Sequence, residues 1–179
     1  MKVSDNGLSL TEACEGYRGY PYKDVAGYTT WGFGHKRVGD EPIPTFISIP
    51  DAKTLMCSDM GPVEDAINGN VHVTLNQNQF DALADFAFNL GVEALLGSTL
   101  LRLLNTGDYN GAAAQFVLWD KAHVDGQVVE VPGLLARRQH ERDLFMSASE
   151  KAPTFASAGT AAPAPQNIID RITSWFKAL

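Results

Sequence analysis

The sequence is poor in cysteine, in basic charge and in long apolar runs, and each shortage removes a class of function. Cys14 and Cys57 are the only cysteines in 179 residues, and no Cys-x-x-Cys spacing joins them. That excludes a disulfide-built scaffold and a thiolate metal cage, and two reduced, half-buried thiols are expected instead. The four histidines, His35, His72, His123 and His140, show no paired ligand spacing, so no metal site is expected. Fourteen Lys and Arg stand against 21 Asp and Glu, a net charge of −7. The chain therefore lacks the basic face that replaces counterions on a phosphate backbone, and nucleic acid is not an expected partner. No stretch approaches the roughly 18 apolar residues of a membrane span. The opening "MKVSDNGLSLTEACEG" has Ser, Asp, Asn and Gly where an export signal has an apolar core. A protein made and folded in the cytoplasm is the expectation.

What is present is material for a core, with 45% apolar residues, enough for one ordinary domain or two small lobes. The composition changes near residue 152. "APTFASAGTAAPAPQ" offers almost nothing to bury and reads as a linker over 152–166, so a folded domain over 1–151 is expected. Beyond it, "NIIDRITSWFKAL" (167–179) sets Ile168, Ile172, Trp175 or Phe176, and Leu179 at helical spacing, an amphipathic helix on a tether. Within the domain, "SLTE" reads as a capping box, with Ser9 as N-cap, for a helix of two turns at most that Gly16 stops. Aromatics and threonines from Tyr20 to Phe33 flank "DVAG", a β-hairpin with Asp24 opening the turn and Gly27 closing it. After the loop "GDEPIPTFISIP" helical patterns dominate, interrupted at Gly61-Pro62 and stopped at Gly91 and Gly107. The spacing predicts an α+β protein: a hairpin lobe over about 17–50, a larger helical lobe over about 51–151, and a ligand cleft between them.

The segment "CEGYRGYPYKDVAGYTTWGFGH" (14–35) is too rich in glycine for one helix and too polar for core. Glu15 falls in the last turn of the first helix, where the negative end of the helix dipole and aromatic neighbours disfavour its ionisation. A general acid requires that. Asp24, opening a turn among backbone donors, is expected to keep its charge. Glycoside hydrolysis uses such a pair, one carboxyl protonating the leaving oxygen and the other stabilising the cation, activating water or attacking. Thr30, on the returning strand, suits a water-holding role because a hydroxyl accepts and donates at once. With a water between them the carboxyls stand roughly 6.5 to 9.5 Å apart and the anomeric configuration inverts. Spacing alone leaves a plain reading open, in which Asp24 only initiates a turn and Glu15 only pairs with a surface base.

The whole string narrows the choice, because "EGYRGYPYKDVAGYTTWGFGH" closely resembles the active-site segment of the phage-type lysozymes, the muramidase endolysins of glycoside hydrolase family 24. "LNQNQFDALADFAFNLG", "STLLRLLNTGDYNGAA", "FVLWDKA" and "VPGLLARRQHERDLF" resemble further blocks of that family in the same order, from about residue 8 to 146. The resemblance implies a lysozyme-like α+β fold and cleavage of the β-1,4 bond between N-acetylmuramic acid and N-acetylglucosamine in bacterial peptidoglycan. It assigns Glu15 as general acid, Asp24 as second carboxylate and Thr30 as the residue that helps position water, and it implies no metal or organic cofactor. It also suggests a substrate-binding set, with Phe88 and Asn89 on the far wall of the cleft, His35 fixing the geometry beneath Glu15, and Arg137 or Arg138 pairing with Glu15 or orienting substrate. Each has a plainer alternative: Phe88 in the core, His35 hydrogen-bonded at a strand end, Arg137 and Arg138 on a solvated helix face.

The C-terminal helix lies outside the resembling blocks. It docks back on the domain or frays, or else it enters a membrane interface through Trp175, Phe176 and its isoleucines. Without an export signal, a lysin of this kind is expected to wait in the host cytoplasm until a separate, holin-type membrane protein opens the way to the periplasm and wall. A monomer is the simplest expectation. Two other readings stand beside hydrolysis: a lytic transglycosylase of the same fold, and a non-catalytic wall- or membrane-binding protein acting through residues 167–179.

Overall fold

The computed structural model describes residues 1–24, 27–124 and 127–147, and the linker and helix expected over 152–179 lie outside them. The described residues part into two compact units, one of Ser9–Gly61, the other of Met1–Leu8 and residues 62–147. Helices with a small three-stranded antiparallel sheet make the architecture α+β.

The first helix, α1 (Asp5–Glu15), begins a full turn earlier than the capping box at Ser9 predicts. Ser4 is the cap: its Oγ accepts from the Gly7 N–H at 3.3 Å, and its carbonyl accepts from Leu8 at 2.9 Å. Ser4 is itself fixed, because Asp81 accepts from both its N–H and its hydroxyl. A contact 77 residues away in sequence thus chose between two competent cap serines. Glu12, released from capping, pairs with Lys53 at 2.7 Å.

In the unit of Ser9–Gly61, β1 (Arg18–Lys23), β2 (Thr29–Gly32) and β3 (His35–Lys36) form a meander in the order β1-β2-β3, followed by α2 (Ile49–Asp59). Ser48 caps α2 by accepting from the Asp51 N–H, with Pro50 in its first turn, where the missing N–H costs nothing. Trp31 and Phe33 bury with Ala52, Met56 and Met60. The sheet register sorts its side chains. Tyr22 pairs with Thr30 and Thr30 with Lys36, so these three stand in a row on one face, while Trp31 and His35 pair on the other.

In the second unit, α3 (Gly61–Asn70), α4 (Gln77–Leu90), α5 (Val92–Leu96), α6 (Thr99–Asn105), α7 (Tyr109–Phe116) and α8 (Pro132–Met146) enclose Phe80, Leu83, Phe86, Phe116 and Phe145. Asn76 and Gln79 form a reciprocal capping box on α4, and Gly91 ends that helix at φ +93°, a backbone angle that disfavours any side chain. The helix expected through "DYNGAAAQFVLWDKA" stops at Phe116. A second hairpin follows instead, β4 (Lys121–Val124) antiparallel to β5 (Gln127–Glu130). Its sequence signal is the Asp-Gly step at 125–126 beside valines, the strongest short-range hairpin pattern. No helix among the described residues is long and apolar enough to cross a membrane.

Candidate active site

Glu15 is the last residue of α1, and Gly16 ends the helix at φ +69° while its N–H closes on the Glu12 carbonyl at 3.0 Å. Gly34, at φ +85°, passes close beside the half-buried Glu15 carboxyl: a Cβ there would stand 3.2 Å from Oε2. A side chain at Gly34 would be strained by its backbone and would crowd the acid. Both glycines serve one carboxyl.

Asp24 is held by the turn it opens. Its N–H donates to Tyr28 O at 2.9 Å, its carbonyl accepts from Gly27 at 2.9 Å, and its Oδ1 accepts from the Tyr28 N–H at 2.8 Å. Lys36 Nζ approaches Oδ2 to 3.6 Å and also covers the Tyr28 ring, 5.3 Å from its centroid. Thr30 is buried, and its hydroxyl donates to Tyr28 O at 3.3 Å, leaving its lone pairs as acceptors. Glu15, Asp24 and Thr30 thus share one compact unit, with Thr30 on the sheet face of Tyr22 and Lys36. Lys36 as a neighbour of Asp24 escaped the sequence reading. Register alone reveals it, since the cross-strand partner of Thr30 was not fixed until β3 was placed.

His35 occupies the opposite face. Its Nδ1 lies 2.8 Å from Asp59 Oδ2, its Nε2 lies 2.9 Å from Glu41 Oε2, and its ring packs 4.8 Å from that of Trp31. Both ring nitrogens are engaged within the protein, which leaves neither for a sugar. Burial works against its charge, but the hydrogen bonds to Glu41 and Asp59 outweigh it and raise its pKa. The hydrogen bond from His35 lowers Glu41, whereas burial pushes Asp59 up against the imidazole's pull. The signs define a window. The His35 contribution is complete below its ordinary 6.5 and is lost as pH rises through the raised folded value. That of Glu41 is present above its ordinary 4.5 and is lost as pH falls through its lowered value. Asp59 opposes weakly above its ordinary value. His35→Asn is expected to destabilise by about 2–3 kcal/mol between those limits and by clearly less near pH 9. Urea unfolding across pH measures it, and a pH-independent difference would contradict the ion-pair account.

With this geometry in place, the family model described as phage lysozyme matches residues 12–141. An endolysin of Salmonella phage P22 is 42% identical over 150 residues, 82% of this chain and 99% of the relative. An endolysin of Acyrthosiphon pisum secondary endosymbiont phage 1 is 41% identical over 151 residues, covering 83% of this chain and all of the relative. The chain belongs to the phage lysozyme family. Among solved structures, the muramidase domain of SpmX from Asticaccaulis excentricus superposes with a TM-score of 0.77 at 35% identity, covering 82% of this chain and 99% of that one. Membership makes the protein a lysozyme-type glycoside hydrolase with a lysozyme-like fold.

The phage lysozyme match takes in the other candidates, which lie in the unit from Pro62 onward. Phe88 and Asn89 are half-buried near the end of α4. The two arginines of α8 are not a solvated helix face, since both are buried. Arg137 donates through Nε and Nη2 to the two oxygens of Asp85, at 2.9 and 2.8 Å. Arg138 donates to Asn89 Oδ1 at 2.9 Å, pairs with Glu141 at 2.6 Å and lies over the Phe86 ring. Burial, helped by nearby Asp85, raises the Glu141 pKa well above its ordinary value against the pull of Arg138. Asp85 and Glu141 were missed as partners. Their signals were a lone carboxylate in the apolar stripe "ALADFAF" and the Arg-Arg-x-x-Glu spacing, three and four residues apart on one helix. Among the described residues no group of three or more His, Cys, Asp or Glu is arranged to hold a metal ion.

Proposed function

We propose that this chain is a muramidase endolysin that hydrolyses the β-1,4 bond from N-acetylmuramic acid to N-acetylglucosamine in peptidoglycan. The observation that carries the reading is the shared placement of Glu15, beside the space that Gly34 leaves, and of Asp24 and Thr30 on the adjoining hairpin. Kinship with endolysins, and with a solved domain described as a muramidase, supports it.

In this reading Glu15 protonates the glycosidic oxygen as the bond breaks, and Asp24 stabilises the positive charge that develops on the sugar. Thr30, whose proton goes to Tyr28 O, accepts from a water that Asp24 activates. Attack from the face opposite the leaving group inverts the anomeric centre. Release by a holin-type protein from the host cytoplasm, action as a monomer, and membrane contact through residues 167–179 complete the proposal.

The competing transglycosylase closes the muramyl 6-hydroxyl onto the same carbon and needs no water. Thr30 favours hydrolysis. Mass spectrometry of digested sacculi is expected to show reducing muramic acid ends, one water heavier than the anhydro form. Anhydro-muramyl ends as the main product would overturn the assignment.

A further inference from the structure

Two half-buried tyrosines of this protein have their hydroxyls answered by backbone. Tyr17 donates to Ile47 O, and Tyr109 donates to Thr74 O at 2.6 Å. Tyr22 differs. Among the described residues its hydroxyl has no hydrogen-bond partner, although the side chain is half-buried. Tyr22 Oη is not among the fully buried polar atoms without a partner, so it reaches solvent and stays open to an incoming ligand.

The position is specific. Tyr22 is the cross-strand partner of Thr30, so the two side chains lie side by side on one sheet face, and Asp24, two residues on, shares that face. Arg18 lies over the ring, its guanidinium carbon 4.6 Å from the centroid. The phenol also senses both carboxyls. Burial raises its pKa, Arg18 counteracts this, and Glu15 and Asp24 each add to the rise, which keeps the proton on the oxygen through the neutral range. A donor that stays protonated, near two carboxyl groups and beside a buried threonine, suits a sugar oxygen.

We propose that Tyr22 is a substrate-positioning residue, donating its phenolic hydrogen to an oxygen of the saccharide unit bound over Asp24 and Thr30. The inference rests on the muramidase reading for the identity of that saccharide. Arg18 stiffens the ring so that the donor is already oriented before the sugar arrives, which lowers the ordering cost of binding.

Two variants test it on the full chain, with tri-N-acetylglucosamine as binding probe and purified peptidoglycan as substrate. Tyr22→Phe keeps the ring and the Arg18 contact and removes only the donor. It is expected to weaken trisaccharide binding by calorimetry about 10-fold, and to lower kcat/KM by about 10- to 100-fold mainly through KM. The loss should be constant from pH 5 to 9, with unchanged Tm. Tyr22→Leu, which also removes the ring, should lose more. Trisaccharide affinity in Tyr22→Phe equal to that of the parent would overturn the proposal, as would a defect confined to Tyr22→Leu, which would make the ring a packing element. A shift of the acidic limb of the pH profile at unaltered affinity would also overturn it, assigning Tyr22 to tuning Glu15. Should the parent chain bind the trisaccharide but release no muramic ends, the muramidase reading fails while the Tyr22 comparison still stands.

Discussion

Glu15→Gln is expected to abolish clearing of chloroform-permeabilised Gram-negative cells, lowering kcat/KM by about 1,000-fold or more, equivalent to about 4 kcal/mol of transition-state stabilisation. Gln matches Glu in shape but cannot deliver a proton to the glycosidic oxygen. Because Gln keeps the size and shape of Glu at the end of α1, beside Gly34, the fold should be retained. Turbidity loss and thermal unfolding on the same preparation separate the two. If Glu15→Gln still lyses cells and the chain cut at Lys151 does not, the agent is the tail and the enzymatic reading is wrong. Product analysis with the parent protein then decides between hydrolysis and anhydro-sugar formation.

The largest stability effect is expected from Asp85→Ala. Arg137 is 5% exposed and meets both oxygens of Asp85, and Glu141 and Arg138 complete a cluster with no exposed side chain. Removing one partner leaves a guanidinium in a low-dielectric interior without its bidentate acceptor, at a cost of about 3–5 kcal/mol. In a chain of this size that lowers Tm by about 10–15 °C. Replacing the pair together, Asp85→Leu with Arg137→Met, should recover much of the loss, because two matched apolar groups have no desolvation to compensate. By contrast, Lys53→Ala, which breaks the exposed pair with Glu12, should change stability by less than about 1 kcal/mol. A Tm for Asp85→Ala within two or three degrees of the parent would mean that water or a rearranged side chain replaces the lost acceptor.

The order in which features became legible follows from where their information lies. Helix stops are local, so Gly91 and Gly107 lie just past α4 and α6, where composition placed them. The cap of α1 was misplaced because two serines compete and Asp81, distant in sequence, settles the competition. The second hairpin was overlooked because the helical pattern before it was carried past Phe116 into residues whose alternation has period two. For the site, Glu15, Asp24 and Thr30 could be named from a contiguous string, since a helix end, a turn and a return strand lie within 16 residues. Their neighbours could not.

The sequence by itself determined the helix that ends on Glu15, the turn that presents Asp24, the strand that carries Thr30, and, through the ordered blocks, the family. These depend on backbone preferences and residue types within a few positions of one another. Only the tertiary structure decided that Lys36 stands beside Asp24, that Tyr22 shares the face of Thr30, that His35 is clamped by Asp59 and Glu41, and that Arg137 and Arg138 are buried against Asp85, Asn89 and Glu141. Each of these pairings depends on strand register or helix packing. A shift of one residue in a strand turns every side chain to the other face, so the partner of a charged group is settled only when the whole unit closes around it.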